Sequence, residues 1–316
     1  MTKVTLPPTI AETIGKTPLV RLQHLDQGLV WPVWVKCEHL NPGGSVKDRL
    51  AWALIEEAEA QGLLRPGMTM IEATAGNTGM DLALVGRSRG YHLVCVMPEK
   101  MSLDKREALA LLGVQVVITA NAPPDSPENF RQVARRLAEE NGWFLTEQFS
   151  NPANPKIHYR TTGPEIWSQS QGQLAAFVAG AGTGGSISGA GRYLKEQNSR
   201  VRIVLADPLG SALGSYAEHG VYAGDGPYAV EGIGGSCAPE NFDRHVIDAV
   251  ETVSDEESFR VSRELIGREG LWVGGSSGTA VAAALRLAAR PETGGPVVAL
   301  VTDSWDRYRS SSWLKQ

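Results

Sequence analysis

Three glycine-rich turns constrain this chain more than any other feature. Ala73–Gly79 (ATAGNTG), Gly180–Ser186 (GAGTGGS) and Gly274–Gly278 (GGSSG) each follow a short apolar run and precede a helical pattern. A strand that passes through such a turn into a helix is half of a βαβ unit, and the turn then lies at the carboxyl end of a parallel strand. The rest of the chain repeats the alternation. Strands are expected at Val30–Glu38, Met68–Glu72, Leu93–Met97, Gln115–Thr119, Trp143–Thr146, Ala175–Ala179, Arg202–Ala206, Leu271–Val273 and Val297–Val301. Helices are expected at Leu50–Gln61, Met80–Arg89, Asp104–Leu112, Phe130–Asn141, Tyr159–Gln169, Ile187–Glu196, Asp255–Glu269 and Thr279–Arg290. Residues 10–22 read as a short helix, a turn and a further strand. The pattern predicts an α/β fold whose mostly parallel sheets carry helices on both faces. Asn121–Glu128 and Ser211–Pro227 are expected to be weakly structured.

At 316 residues the chain exceeds the usual size of one core, so two domains are expected, divided near residue 150. A net charge of −5 gives no electrostatic reason to expect nucleic acid or an anionic membrane as partner. Three dispersed cysteines, Cys37, Cys95 and Cys237, argue for a reducing compartment and against a thiolate metal cluster. With no signal-like start and no long apolar run, a cytoplasmic location is expected. The histidines show no metal-ligand spacing, and neither a GxSxG elbow nor a Walker lysine is present.

The stretch Asn41–Arg49 (NPGGSVKDR) sets Lys47 in a loop just ahead of an amphipathic run. The positive end of a helix dipole disfavours a lysine's charge, and an amine that deprotonates readily suits imine chemistry with a carbonyl cofactor. Gly180–Ser186 reads as a phosphate cradle of converging backbone N–H groups, to which Thr183 and Ser186 add hydroxyls. Ala73–Gly79 offers Thr74, Asn77, Thr78 and the N–H groups of Ala75 and Gly76 to a carboxylate, and Gly274–Gly278 would present Ser276 or Ser277. Each feature has an ordinary alternative: a solvated lysine, helix caps, a flexible turn. The turn at Gly180 also fits GxGxxG, with Asp207 ending the next strand where a dinucleotide fold keeps its ribose acid. A nicotinamide reading leaves the lysine loop and the ATAGNTG turn unexplained. Together, the imine-forming lysine, two anion cradles and presented serine describe a pyridoxal-phosphate site.

These motifs resemble the fold-type II pyridoxal-phosphate enzymes of the cysteine synthase and cystathionine β-synthase family. The likeness runs from Ile14 (IGKTPLVRL) to about residue 309. MPEKMS at Met97, DSPE at Asp125, HYRTTG at His158, DPLGS at Asp207 and VEGIG at Val230 lean toward the cystathionine β-synthase branch, as a short bacterial-type catalytic core without the animal enzymes' haem and regulatory extensions. The resemblance implies two doubly wound three-layer αβα domains of tryptophan synthase β-like architecture. Residues 46–150 would form the smaller, and 1–45 with 151–316 the larger. It implies pyridoxal 5′-phosphate, with Lys47 as the imine-forming and proton-carrying lysine and Asn77 on the cofactor's 3′-oxygen. Gly182, Thr183, Gly184, Gly185 and Ser186 would hold the phosphate, and Ser276 would face the ring nitrogen. Thr74, Ala75, Asn77, Thr78 and Gln148 would gather the substrate carboxylate.

The expected reaction is β-replacement on L-serine or O-acetyl-L-serine through an aminoacrylate, with homocysteine giving cystathionine. The alternatives are a cysteine synthase using sulfide, more remotely an NAD(P)-dependent oxidoreductase, or a binding protein that has kept the fold. The expected partners are small-molecule amino-acid and thiol substrates, with no nucleic acid or membrane. The resemblance also implies a homodimer and a swing of residues 93–140 over the substrate. Three departures stand out: Ala75 where many relatives have serine, Asp81 where they carry a small or apolar residue, and Cys237–Ala238 in place of a bulkier apolar pair.

Overall fold

A computed structural model describes residues 9–74, 76–99, 103–123, 125–224 and 226–315. In chain order the strands and helices are β1 (Leu19–Arg21), β2 (Val33–Cys37), α1 (Lys47–Ala60), β3 (Thr69–Ala73), α2 (Asn77–Ser88), β4 (His92–Pro98) and α3 (Leu103–Leu111). There follow β5 (Gln115–Thr119), α4 (Phe130–Asn141), β6 (Phe144–Leu145), α5 (Ala153–Arg160), α6 (Thr162–Gln169) and β7 (Ala176–Ala179). The remainder are α7 (Gly185–Gln197), β8 (Arg202–Pro208), α8 (Leu213–His219), β9 (Ala249–Val253), α9 (Asp255–Glu269), α10 (Gly275–Ala288) and β10 (Val297–Val301).

The chain divides into two compact units, Met1–Lys16 with Asn41–Ala153, and Thr17–Leu40 with Asn154–Gln316. Asn41 shows why its neighbourhood belongs to the first unit. Its side-chain oxygen accepts the Gly15 N–H at 2.8 Å, and its side-chain N–H donates to the Ser45 carbonyl at 3.1 Å. The expected boundaries place residues 1–45 and 151–316 in the larger unit, so this division differs at 1–16, 41–45 and 151–153.

The first unit's sheet has the order β5-β4-β3-β6, all parallel. Ile71, Ala73, Val94 and Val96 pack against Val133, Ala134 and Ala138 of α4. On the other face α2 closes in through glycines: a Cβ at Gly79 would lie 2.7 Å from Cys95 Sγ, and one at Gly86 would lie 2.7 Å from Met70 Cε. Helix α4 starts where the Asn129 side chain accepts the Arg131 N–H, and ends at left-handed Gly142.

The second unit's sheet has the order β1-β2-β10-β7-β8-β9, parallel except for β1 against β2. Val33, Val35, Val178, Val204, Val297 and Ala299 bury one face on Val261 and Leu265 of α9 and on Val281 to Ala284 of α10. The other face meets α7, where a Cβ at Gly191 would lie 3.0 Å from Ile203. Each fully buried Val, Leu or Ile contributes about 1.5–3 kcal/mol. Lys36 interrupts the apolar run of β2 and is fully buried, with Nζ at 2.6 Å from both the Thr17 carbonyl and Glu165 Oε2. Those partners offset its desolvation.

In both sheets the strand order reverses beside the strand that feeds a glycine turn. The chain leaves β3 for β4 and β5 on one side and returns as β6 on the other. It leaves β7 for β8 and β9 and returns as β10. Ligands of doubly wound sheets bind at the carboxyl edge at such points. Among the described residues no helix is long and apolar enough to cross a membrane.

Candidate active site

In the first unit the lysine is not in a loop. Lys47 is the first residue of α1, half-buried, and its backbone N–H donates to Ser45 Oγ at 3.0 Å. The Ser45 hydroxyl in turn donates to Asp81 of α2. Gly43 donates its N–H to Asp48 Oδ2 at 2.5 Å, and a Cβ at Gly43 would meet Asp48 Oδ1 at 2.5 Å and Asp81 Oδ1 at 2.9 Å. The double glycine is thus set by two buried carboxylates, and Gly44 takes φ +84°. Asp81, a departure from the family pattern, has a local task here.

At the end of β3, the Thr74 hydroxyl accepts the Gly76 N–H at 3.2 Å, and Asn77 is the first residue of α2. Ala75 lies outside the described residues. Thr78 donates its hydroxyl to Gln148 Oε1 at 2.7 Å, so two expected carboxylate-binding residues meet where the start of α2 faces the turn after β6. Behind them is a residue that sequence reasoning missed. Glu72 is fully buried and accepts hydrogen bonds from the Thr146 hydroxyl, the Gln148 N–H at 3.2 Å and Gln148 Nε2 at 3.2 Å. Burial pushes its carboxyl up to about 7, against the opposing pull of those donors. Lys105 of α3, also missed, is buried against the same turn, its Cδ 3.3 Å from where a Gly76 Cβ would be.

In the second unit the turn after β7 runs into α7, with Gly184 left-handed at φ +82° and Gly185 the first helical residue. By helix geometry the opening N–H groups of α7 have no intrahelical acceptor, and Gly184 at the N-cap brings no side chain to them. The glycines of the turn have no room for a side chain. A Cβ at Gly182 would lie 2.1 Å from the Gly232 carbonyl, one at Gly184 2.7 Å from the Phe242 backbone, and one at Gly185 1.9 Å from Asn154 Oδ1. Its hydroxyls are aimed by α5: Asn154 Nδ2 donates to Thr183 at 3.0 Å, and Ser186 shares a hydrogen bond with His158 Nε2 at 3.1 Å. His158 lies inside the HYRTTG stretch, where the sequence marks it only as part of a family pattern.

Ser276 is the second residue of α10 and shares a 2.8 Å hydrogen bond with the Thr302 hydroxyl, just past β10. Because β10 pairs with β7, the N-terminus of α10 stands beside the glycine turn at the carboxyl edge. The expected strand Leu271–Val273 is absent; Val273 makes one antiparallel bridge to Ser304. Asp207 is buried and accepts the Gly214 N–H at 2.7 Å, which ties it to the opening of α8. A carboxylate committed to that helix is a poor ribose acid.

The Gly182–Ser186 turn is therefore a backbone cradle with positioned hydroxyls at a helix start with glycine at its N-cap, which fits a phosphate monoester. The model of the family described as pyridoxal-phosphate dependent enzyme matches residues 10–303. The chain belongs to that family. Its cofactor is pyridoxal 5′-phosphate. It is 46% identical over 285 residues to a cystathionine beta-synthase of Apis mellifera, covering 89% of this chain and 56% of that one. It is 43% identical over 313 residues to cysteine synthase 1 of Neurospora crassa, covering 96% of this chain and 83% of that one. The chain thus spans little more than half of the former relative and most of the latter. Among solved structures, O-ureido-L-serine synthase superposes with a TM-score of 0.91 at 38% identity, over 98% of this chain and 96% of that one. The fold-type II architecture expected from the sequence is the one observed.

Proposed function

We propose that the chain replaces the β-substituent of L-serine or O-acetyl-L-serine, with homocysteine as the nucleophile and cystathionine as the product. The observation that carries the reading is Lys47 as the first residue of α1, fixed through Ser45, in a pyridoxal-phosphate family. When bound, the cofactor supplies a carbonyl for the lysine amine and a conjugated ring that takes up electrons from the substrate's α-carbon. The Lys47 amine would hold the cofactor and, once released, take the α-proton. Gly182, Gly184 and Gly185 would give N–H groups to the phosphate, and Thr183 and Ser186 their hydroxyls. Asn77 would donate to the 3′-oxygen.

Ser276 would face the ring nitrogen. A neutral hydroxyl does not hold a full charge there, which suits a reaction whose leaving group departs as the proton is removed. Thr74, Ala75, Asn77, Thr78 and Gln148 would gather the substrate carboxylate at the start of α2, where the dipole favours an anion.

A cysteine synthase using sulfide is the second reading, supported by the relatives of that name in Neurospora crassa and Emericella nidulans. The name O-ureido-L-serine synthase widens the choice of nucleophile beyond sulfur. The proposal includes a cytoplasmic homodimer in a reducing environment. There Cys37, which burial pushes up to about 12, stays an inert thiol. Incubating holoenzyme with each serine donor and either homocysteine or sulfide, then identifying the product by mass spectrometry, tests the reading. Cystathionine is expected. Cysteine formed from sulfide alone selects the second reading, and no β-substituted product from any pair contradicts both.

A further inference from the structure

Glu72 makes no contact with substrate in the reaction just proposed, yet it is a buried carboxyl with three hydrogen-bond donors around it. It stands on β3, one residue before the carbonyl of Ala73, and those three bonds all come from residues just beyond β6. Gln148 Nε2 has two N–H groups. One donates to Glu72 Oε1 at 3.2 Å and the other to the Ala73 carbonyl at 3.0 Å. Two acceptors on one side fix which way the amide faces, so Oε1 turns to the Thr78 hydroxyl at 2.7 Å. The chain of bonds runs Thr146, Glu72, Gln148, Thr78, and ends in the first turn of α2.

We infer that Glu72 is a positioning residue for the amino-acid substrate, acting through the Gln148 amide: it helps hold that amide against the start of α2, and the charge of its ionised form opposes the incoming carboxylate. This rests on the reading that Thr78 and Gln148 gather that carboxylate. An ionised Glu72 engages one Gln148 N–H and adds a negative charge close to where another must bind. A protonated Glu72 removes that charge while its carbonyl oxygen can still accept the Gln148 N–H, so the amide stays in place and only the repulsion is lost.

The carboxyl titrates near neutrality because it is buried, at about 7, so both forms are populated under ordinary conditions. Among the described residues, the ionisable groups acting on it are Glu147 and Cys95. Glu147, which pairs with Arg135 of α4 at 3.1 Å, raises it further, and the Cys95 thiol on β4 is itself pushed far up by burial and stays neutral. Its donors are a threonine hydroxyl, a backbone N–H and an amide, which bring no positive charge to it.

The test titrates holoenzyme with L-serine and with O-acetyl-L-serine from pH 6 to 8, reading the change in cofactor absorbance. Against Glu72→Gln, which keeps the shape without the charge, wild-type affinity is expected to fall about tenfold over that range. Thr146→Val removes one hydrogen bond to the ionised form and should move the midpoint up by about one pH unit. It also keeps the test alive if Glu72→Gln fails to fold. Profiles that coincide for wild type and Glu72→Gln, or a midpoint unmoved in Thr146→Val, overturn the role of Glu72. In that case a Thr78→Ala enzyme that binds weakly leaves the carboxylate site standing. Wild-type affinity in Thr78→Ala, or no spectral response of wild type to either amino acid, overturns the site and the role of Glu72 together.

Discussion

Asp81 on α2 accepts the hydroxyl of Ser45, and the same oxygen of Ser45 accepts the backbone N–H of Lys47. A buried carboxylate therefore fixes the first residue of α1 through one intervening side chain. The arrangement accounts for two features of the sequence at once. The residue at 81 is acidic where the family pattern is small or apolar, and residue 43 is a glycine because Asp48 and Asp81 occupy the space of a Cβ.

Removing either partner should be felt at the lysine. Asp81→Ala leaves the Ser45 hydroxyl buried without its acceptor and is expected to cost about 1–3 kcal/mol in urea unfolding. Ser45→Ala should cost a similar amount. The double variant should cost less than the two together, since they remove one interaction. Additive costs would mean that the two side chains act independently.

The glycine turn allows a sharper contrast. Alanine at Gly185 or Gly182 would overlap Asn154 Oδ1 or the Gly232 carbonyl, and Asn154 is held by its own bond to Thr183. Overpacking of this kind costs about 1–3 kcal/mol, and where that strain falls on the cradle cofactor affinity should fall by about 5- to 150-fold. Gly267 on α9 has nothing within 4 Å of where a Cβ would stand, and alanine there should stabilise by about 0.5–1 kcal/mol with cofactor affinity unchanged. Equal cofactor affinity in all three variants would deny the turn its role as a cradle.

Asp207 gives a pH signature. Burial raises its carboxyl from 3.8 to about 6. The folded state thus holds the proton more tightly than the unfolded one. The stability this confers is complete below about pH 4 and is lost as pH rises through about 6. Unfolding free energies of wild type and Asp207→Asn, measured from pH 4 to 7, should shift relative to each other by about 2–3 kcal/mol in favour of the variant. A constant difference across that range would show that Asp207 titrates normally.

The βα alternation was legible because buried parallel strands are short apolar runs closed by glycine, and β5 and α4 fall at the expected residues. What the sequence hid has physical causes. Strand β9 (AVETV) is an edge strand with most of its residues only partly buried, so it lacks an apolar signature. Helix α8 is seven residues in a glycine-rich stretch expected to be weakly structured. The helix expected over 159–169 breaks at Thr161 into α5 and α6, near the hydrogen bond between His158 and Thr162. GGSSG reads as a turn, yet Gly275 to Gly278 form the first turn of α10 because they pack where a larger residue would not fit.

The residues of the site divide in the same way. Lys47, Thr74, Asn77, Thr78 and the Gly182–Ser186 turn stand in compact motifs whose chemistry is local. Glu72, Asn154, His158 and Thr302 act on partners 26 to 76 residues away, and only sheet pairing and helix packing bring them together. A carboxylate in the run TMIEA looks like a lapse in a buried strand until Thr146 and Gln148 arrive in the turn that follows β6.

The central claim is that Lys47 carries the cofactor. Reduction of the purified holoenzyme with borohydride, followed by peptide mass spectrometry, tests it most directly. The account predicts a pyridoxyl group on the peptide that contains Lys47 and none in a Lys47→Ala enzyme. The group found on another lysine, or on no lysine of an enzyme that binds the cofactor, would contradict it.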